Sequence, residues 1–569
     1  GKDSIDILRV VKEVAAASHI YEKGIVEEEA FTSFQHWQEG PFDMKPFGDR
    51  AFCEGMNRVV FHGFSHNPTG SGFPGYVYHA GTHFNDKRVW WPKVKPFIQY
   101  VSRLSSVFQE TDFVADVAWY YGDKIPNSAT PKNAHFSVGP GYDYEVINTE
   151  ILLNKLSVED GKPVLSNGAK FSVLALEYEE KMNPMVLQKI NELANLGAVI
   201  VGKKPNGVSE IKDAPLTMEE GKNLINQLWD NGNILSETDL AKVMEKVNIF
   251  PDFSYHDKES FLIDFIHYKK DNTEFYFIAN TSDSWISREC GFRQENNIPE
   301  IWDPVSGEII PVSIFHQENS YINIPITLAP YGSQLIVFKN GKVQPHYFSI
   351  SSKKENPPFF EFTKTGINLL ESGDFEVFEK DQLKSISCKI QSQTLKGQWE
   401  VYFPKDRGAP DMAIFPELIS WTKSETEGIK YFSGTATYKK SFQYEPNQNN
   451  AENLRIYLDL GKLSKVAEVW LNDRNLGITW TIPHKFDVSD VIKNGENRLV
   501  IEVANTWSNR LIGDAITGEK YTNSNISNTI VAVKGMVPGN QTRVPWVKVP
   551  LVESGLLGPV TIKKLESIK

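Results

Sequence analysis

The 569 residues leave room for about four domains at roughly 150 residues each, and 40% hydrophobic with 23% charged residues is the make-up of ordinary globular protein. Sixty Lys plus Arg against 72 Asp plus Glu give a net charge of −12, which argues against nucleic acid or an anionic membrane as partner. No run approaches the roughly 20 apolar residues of a membrane span, and Cys53, Cys290 and Cys388 are too few and too scattered for a disulfide framework or a zinc site.

In chain order, Ile5, Leu8, Val11 and Val14 have helical spacing over residues 5–18, and Gly24 ends the run. The first residues, Gly1-Lys2-Asp3, carry no basic or apolar leader, so a targeting segment is expected upstream or removed. A short extended stretch at Ile25-Val26 runs into Glu27-Glu28-Glu29. A helix is predicted around residues 49–56, then the apolar strand Arg58-Val59-Val60-Phe61-His62 and a polar, glycine-rich loop from Gly63 to Gly75. Val94, Phe97, Val101, Leu104 and Val107 mark an amphipathic helix over 92–108. Strands and helices that alternate, with polar residues where the strands end, follow the grammar of a (β/α)8 barrel, whose active sites sit at that rim. Residues 1–112 hold only two of its strands.

Over 113–255 the strand Asp116-Val117-Ala118-Trp119-Tyr120-Tyr121, a helix near 145–155, a strand at 171–176, a helix at 184–196 and a strand at 198–202 predict an open parallel sheet of flavodoxin-like type. No GxGxxG or Walker signature accompanies it, so no nucleotide is inferred. Residues 256–345 switch to short alternating strands with turns such as Asp303-Pro304-Val305-Ser306-Gly307, the pattern of a small β-sandwich. Asn280-Thr281-Ser282 is a glycosylation sequon by pattern alone. The charged, proline-containing linker Lys353–Pro358 opens 346–569, where closely spaced strands predict a further sandwich.

Three successive carboxylates at a strand end repel one another, so the placement asks for a reason. Side chains alternate along a strand; Glu27 and Glu29 therefore share one face and Glu28 takes the other. The functional reading is a general base, a nucleophile or a metal ligand at a barrel rim, and the plain one is a solvated turn. After the second strand come His62, His66, His83, Asn85, Trp90 and Trp91. Imidazole, amide and indole groups there would supply donors and a stacking platform for a polyhydroxylated ring, although single histidines are more often structural. The 13 Trp, 21 Tyr and 34 Phe fit either sugar stacking or aromatic sandwich cores. No HExxH and no GxSxG is present, which removes a zincin and the hydrolase elbow.

Glu29-Ala30-Phe31-Thr32-Ser33, Lys45-Pro46 with Asp49, Gly55-Met56-Asn57-Arg58-Val59-Val60-Phe61-His62 and Gly81-Thr82-His83-Phe84-Asn85 resemble the last part of the catalytic barrel of glycoside hydrolase family 106, the α-L-rhamnosidases. Leu395-Lys396-Gly397-Gln398-Trp399, Ser433-Gly434-Thr435-Ala436-Thr437-Tyr438, Val469-Trp470-Leu471-Asn472 and Asn509-Arg510-Leu511-Ile512-Gly513-Asp514 are similar to the galactose-binding-like jelly-roll sandwich at that family's C-terminal end. The resemblance implies release of terminal α-L-rhamnosyl residues from pectic or related plant glycans with inversion, assisted by calcium (Ca2+), with Glu29 as general base. It also implies a general acid on an upstream segment that completes the barrel. Glu27, His62, His66, His83, Asn85, Trp90 and Trp91 are the expected substrate-binding residues, and no calcium ligand is legible. An extracellular or periplasmic location follows from such a substrate. Two other readings stand beside it: a non-catalytic carbohydrate-binding or scaffold protein, and a retaining β-galactosidase-like exo-glycosidase.

Overall fold

A computed structural model describes residues 5–129, 138–237, 239–256, 261–341, 347–379, 382–445, 454–530 and 543–568. Its first module orders α1 (Ile5–Ile20), β1 (Glu27–Ala30), α2 (Pro41–Cys53), β2 (Arg58–Phe61) and α3 (Lys95–Phe108). β1 and β2 pair in parallel, with Glu27 opposite Arg58 and Ala30 opposite Phe61. Asn57 sets their common level: its side chain accepts from the Val26 N–H at 2.8 Å and donates to the Gly24 carbonyl at 2.9 Å. The helix expected around 49–56 is α2 and starts at Pro41. Proline's missing N–H costs nothing in a first turn, and the Asp43 carboxylate accepts from the Gly40 N–H at 2.7 Å to close the cap. Among the described residues these two strands form a sheet of their own, and no closed barrel is present.

The second module is an open, all-parallel sheet in the spatial order Ile200–Val201, Val173–Leu176, Val117–Tyr120, Tyr144–Ile147. This is the order of a doubly wound sheet, in which the chain runs outward first on one side of its initial strand and then on the other. Residues 144–147, expected to open a helix, form a fully buried strand. Tyr144 and Val146 suit a sheet flanked on both faces, and the helix waits for Asn148, which caps Thr149–Asn154 by accepting from the Ile151 N–H at 2.9 Å. Helices Pro184–Asn195 and Met218–Asp230 cover the sheet, the second opened by a Thr217/Glu220 capping box that the periodicity did not reveal.

The third module packs a six-stranded antiparallel sheet, which includes Ile263–Lys270, Thr273–Asn280 and Ser333–Asn340, on a four-stranded one containing Ile286–Phe292 and Tyr321–Leu328. Asp112–Phe113 already pairs with the first of these, so the chain touches the sandwich before it builds the parallel sheet. Asn280 is buried there and donates to the Ser284 and Ala329 carbonyls at 2.7 and 2.8 Å, which makes it a turn residue rather than an acceptor for sugar. The expected boundary at 345/346 lies outside the described residues. Beyond it two six-stranded sheets enclose Trp399, Trp421, Tyr438, Val469 and Ile501, and the helix Ser508–Thr517 interrupts what the sequence pattern predicts as strands alone. Cys53, Cys290 and Cys388 are buried thiols that form no disulfide.

The modules share a core. Met44 and Phe52 of α2 and Phe97 and Leu104 of α3 pack at once against Ile266, Phe277 and Val337 of the sandwich and against Trp480, Trp507 and Trp546 of the C-terminal module. Trp480 meets Phe97 and Tyr100 edge-on at 5.1 and 5.5 Å. Burial of these large side chains, each contributing about 2 kcal/mol or more, fixes the C-terminal module against the strand pair.

Candidate active site

The alternation read from the sequence holds on β1: Glu27 and Glu29 are exposed, Glu28 is partly buried, and Ala30 is buried. Val59 and Phe61 of β2 face the helices with Glu28 and Ala30, whereas Arg58 and Val60 share the open face with Glu27 and Glu29. In the expected barrel that open face would be the interior one. On it the Glu27 carboxylate lies 3.5 Å from the Arg58 guanidinium, and the Glu29 carboxylate accepts from the Thr32 hydroxyl at 2.8 Å. Burial, on the other side, raises the Glu28 carboxyl to about 7 and leaves its Oε2 without a partner.

Above the strands two loops interlock. His36, from the loop after β1, and His83, from the loop after β2, stack at 5.0 Å and share a hydrogen bond of 2.7 Å between Nδ1 and Nε2. Arg88 ties them from below, donating to the His83 and His36 carbonyls at 3.1 and 3.2 Å. Burial, assisted by the Arg88 charge, lowers His36 to about 4 and His83 to about 2, so both rings are neutral at ordinary pH. Glu39 accepts from the Ser33 hydroxyl at 2.5 Å, and burial raises its carboxyl to about 7. Gly81 is required here: at φ +108° a Cβ would stand 2.2 Å from the His62 carbonyl oxygen.

The expected catalytic residue, Glu29, and the expected substrate-binding residues therefore divide. Glu27, Glu29, His62 and His66 lie on the open face or its rim, where His62 sets its ring against Tyr78 at 5.4 Å. His83, Asn85 and Trp90 are buried, the last donating its indole N–H to the Glu39 carbonyl at 3.0 Å, and they build the loop that the rim stands on. Trp91 is half-buried against Phe84. Sequence reasoning passed over Phe64 and Tyr78, which are 66% and 56% exposed at the same rim, and over Thr32, Glu39 and Arg88. The only signal for the first two was the density of aromatic residues between Phe64 and Tyr78.

A strand from the C-terminal module walls the rim. Asn525 accepts from the Val77 N–H at 2.9 Å and returns a bond to its carbonyl at 2.8 Å, Asn523 donates to the Ser71 carbonyl, and Pro74–Gly75 pairs in parallel with Asn523–Ser524. The Trp507 indole donates to the Lys87 carbonyl at 2.6 Å and stacks on Phe73.

Among the described residues no three His, Cys, Asp or Glu side chains gather to hold an ion. Calcium takes six to eight oxygens, and the one carboxylate pair on the open face, Glu27 and Glu29, is engaged by Arg58 and Thr32. Among the described residues, therefore, the side chains on the open face gather no calcium cage.

With the rim described, comparison with known proteins decides the family. The model of the α-L-rhamnosidases of glycoside hydrolase family 106 matches residues 4–316, more than half of the chain. The chain belongs to that family. A second model, the galactose-binding-like domain of family 2 glycosyl hydrolases, matches residues 420–536. A solved rhamnosidase of a Novosphingobium species is 27% identical, with a TM-score of 0.78 over 98% of this chain and 49% of that one. A curated protein of Formosa agariphila described as "Putative beta-glucuronidase" is 26% identical over 97% of this chain and 64% of its own length. This family 106 chain thus spans about half to two thirds of the relatives it matches. The C-terminal module is galactose-binding-like, and no helix among the described residues is long and apolar enough to cross a membrane.

Proposed function

We propose that the chain supplies the general-base side of an inverting α-L-rhamnosidase, with Glu29 as the base. The observation that carries this reading is the position of Glu29: exposed on the open face near the C-terminal end of a parallel strand, its carboxylate bonded by Thr32. Glu29 takes a proton from water as the water oxygen bonds to the anomeric carbon, and the bond to the leaving oxygen breaks on the opposite face. A carboxylic acid from the remaining barrel strands, about 6.5–9.5 Å from Glu29, protonates that oxygen. The products are rhamnose of inverted anomeric configuration and a free hydroxyl on the glycan. His62, His66, Phe64 and Tyr78 line the approach, with an exposed aromatic surface suited to a sugar ring. Terminal rhamnose on pectic or related glycans is the substrate class, and an extracellular or periplasmic setting goes with it. Among the described residues no three metal-ligating side chains gather to hold the calcium ion of this reading.

A second reading is hydrolysis of a glucuronide. The description of the Formosa relative suggests it, and the Arg58 guanidinium on the open face is a group that a uronate carboxylate would attract. Aryl α-L-rhamnoside, β-D-glucuronide and β-D-galactoside, offered to the chain alone and joined to the remaining barrel strands, discriminate the readings. The expected result is rhamnoside turnover once the barrel is complete, a sugar product of opposite anomeric configuration by NMR, and a loss of at least about a hundredfold in Glu29→Gln. Full activity in that variant removes Glu29 from the mechanism. Glucuronide turnover favours the second reading, and inertness of the completed barrel favours a binding or scaffold role.

A further inference from the structure

The parallel sheet has its own cleft, and no residue of β1, β2 or their loops lines it. Its strand order reverses between Val117–Tyr120 and Val173–Leu176: from the first the chain goes on to the neighbour Tyr144–Ile147 on one side, and from the second to Ile200–Val201 on the other. Open α/β sheets bind ligands in the crevice so formed. Here the crevice is a cleft of about 450 Å³ whose walls come from both strand ends, Asp123 and Lys124 after the first and Tyr178 to Lys181 after the second.

The lining states what it would accept. Gly122, at φ +81°, lets the Glu179 carboxylate lie under the turn, where Oε1 accepts from the Asp123 N–H at 2.7 Å. The other oxygen, Oε2, is shielded from solvent and has no protein partner. Asn183 donates to Asp123 at 3.3 Å, and its carbonyl caps the helix Pro184–Asn195. Tyr178 stands at the lip, 36% exposed, with the Lys203 ammonium 4.3 Å from its ring. Asp123, Glu179 and Glu180 line the same space as Lys181 and Lys124, whose ammonium pairs with Glu177 at 2.8 Å. An anionic ligand would meet three carboxylates, and a cation would compete with two lysines. A neutral molecule rich in hydroxyls meets acceptors, donors and an aromatic edge together.

We propose that this cleft is a second, non-catalytic binding site for a neutral saccharide, with Tyr178 as platform and Glu179 as hydroxyl acceptor. It stands independently of the role assigned to Glu29. The test is affinity electrophoresis of the whole chain in gels cast with a neutral galactan or a neutral arabinan, for the wild type, Tyr178→Ala and Glu179→Gln. Tyr178 is at the surface and Glu179 is half-buried, and unchanged thermal unfolding verifies that each variant folds. At least one gel is expected to retard the wild type, with each variant weakening retardation by about fivefold. Equal retardation of all three proteins assigns the binding elsewhere and overturns the proposal, as does a wild type that neither gel retards. Calorimetric calcium binding that Glu179→Gln abolishes, without any saccharide effect, overturns it in favour of a cation site.

Discussion

Glu28 and Glu29 are neighbours on β1 and face opposite sides of it, so one substitution at each separates burial from chemistry. Burial raises the Glu28 carboxyl from its ordinary value to about 7. A carboxyl whose folded value exceeds its unfolded one takes up protons on folding, so the native state loses stability as pH rises from about 4.5 through 7. Glutamine mimics the protonated acid at every pH. Glu28→Gln is therefore expected to raise the unfolding midpoint at pH 8 relative to wild type, by the equivalent of about 2 kcal/mol, and to change it little at pH 4.5. Chemical denaturation at the two pH values measures this, and a shift that is the same at both refutes the assignment. Glu29→Gln acts on turnover instead. The division of β1 was legible in the sequence because period two is a property of any strand. The burial of His83, Asn85 and Trp90 was not, since it depends on His36 and Glu39 arriving from another loop.

The loops after β1 and β2 owe their shape to elements far away in sequence. Asn525 grips both backbone groups of Val77 from the C-terminal module, a pairing across 448 residues. Asn525→Ala leaves a buried N–H and C=O without partners, at a cost of about 1–3 kcal/mol confined to that loop. Hydrogen exchange at the Val77 amide is expected to quicken accordingly, while Leu174 in the parallel sheet keeps its protection. Uniform quickening at both would contradict a local role. The same paragraph of structure shows where pattern reading stops. β2, α3 and the helix Pro184–Asn195 announce themselves by apolar spacing and a proline start, whereas Tyr144–Ile147 is a strand because both its faces are covered, a fact absent from its own four residues. Cation chemistry belongs at this scale too, since a cage needs several loops. With no three metal-ligating side chains gathered among the described residues, a chelator is expected to leave the thermal midpoint of this chain unchanged. A fall of several degrees on chelation, reversed by calcium, would show a site the side chains do not reveal.

At the scale of the whole molecule, the modules inferred from the sequence are not independent bodies. The largest apolar cluster runs through α2, α3, the small sandwich and the galactose-binding-like module, and ion pairs join this body to the parallel sheet and strengthen its seam with the C-terminal module. Lys12 meets Asp143 at 2.7 Å and Arg293 meets Asp116 at 2.7 Å, each joining the parallel sheet to a neighbour. Lys93, buried between α3 and the C-terminal module, reaches Glu468 and Glu502 at 2.6 and 2.8 Å. Those carboxylates keep some contact with water, so removing the lysine costs less than stranding two fully buried charges would, about 1–3 kcal/mol. Lys93→Met retains the apolar stem and deletes the charge. Scanning calorimetry of this variant is expected to show a lower midpoint and a C-terminal transition separating from the rest, because the shared core then holds the seam without its ionic clasp. Far-ultraviolet and tryptophan signals should diverge in step, since Trp480 and Trp507 report that seam directly. A single transition at the wild-type midpoint would mean that the tryptophan contacts alone bind the modules, and that Lys93 is dispensable to them.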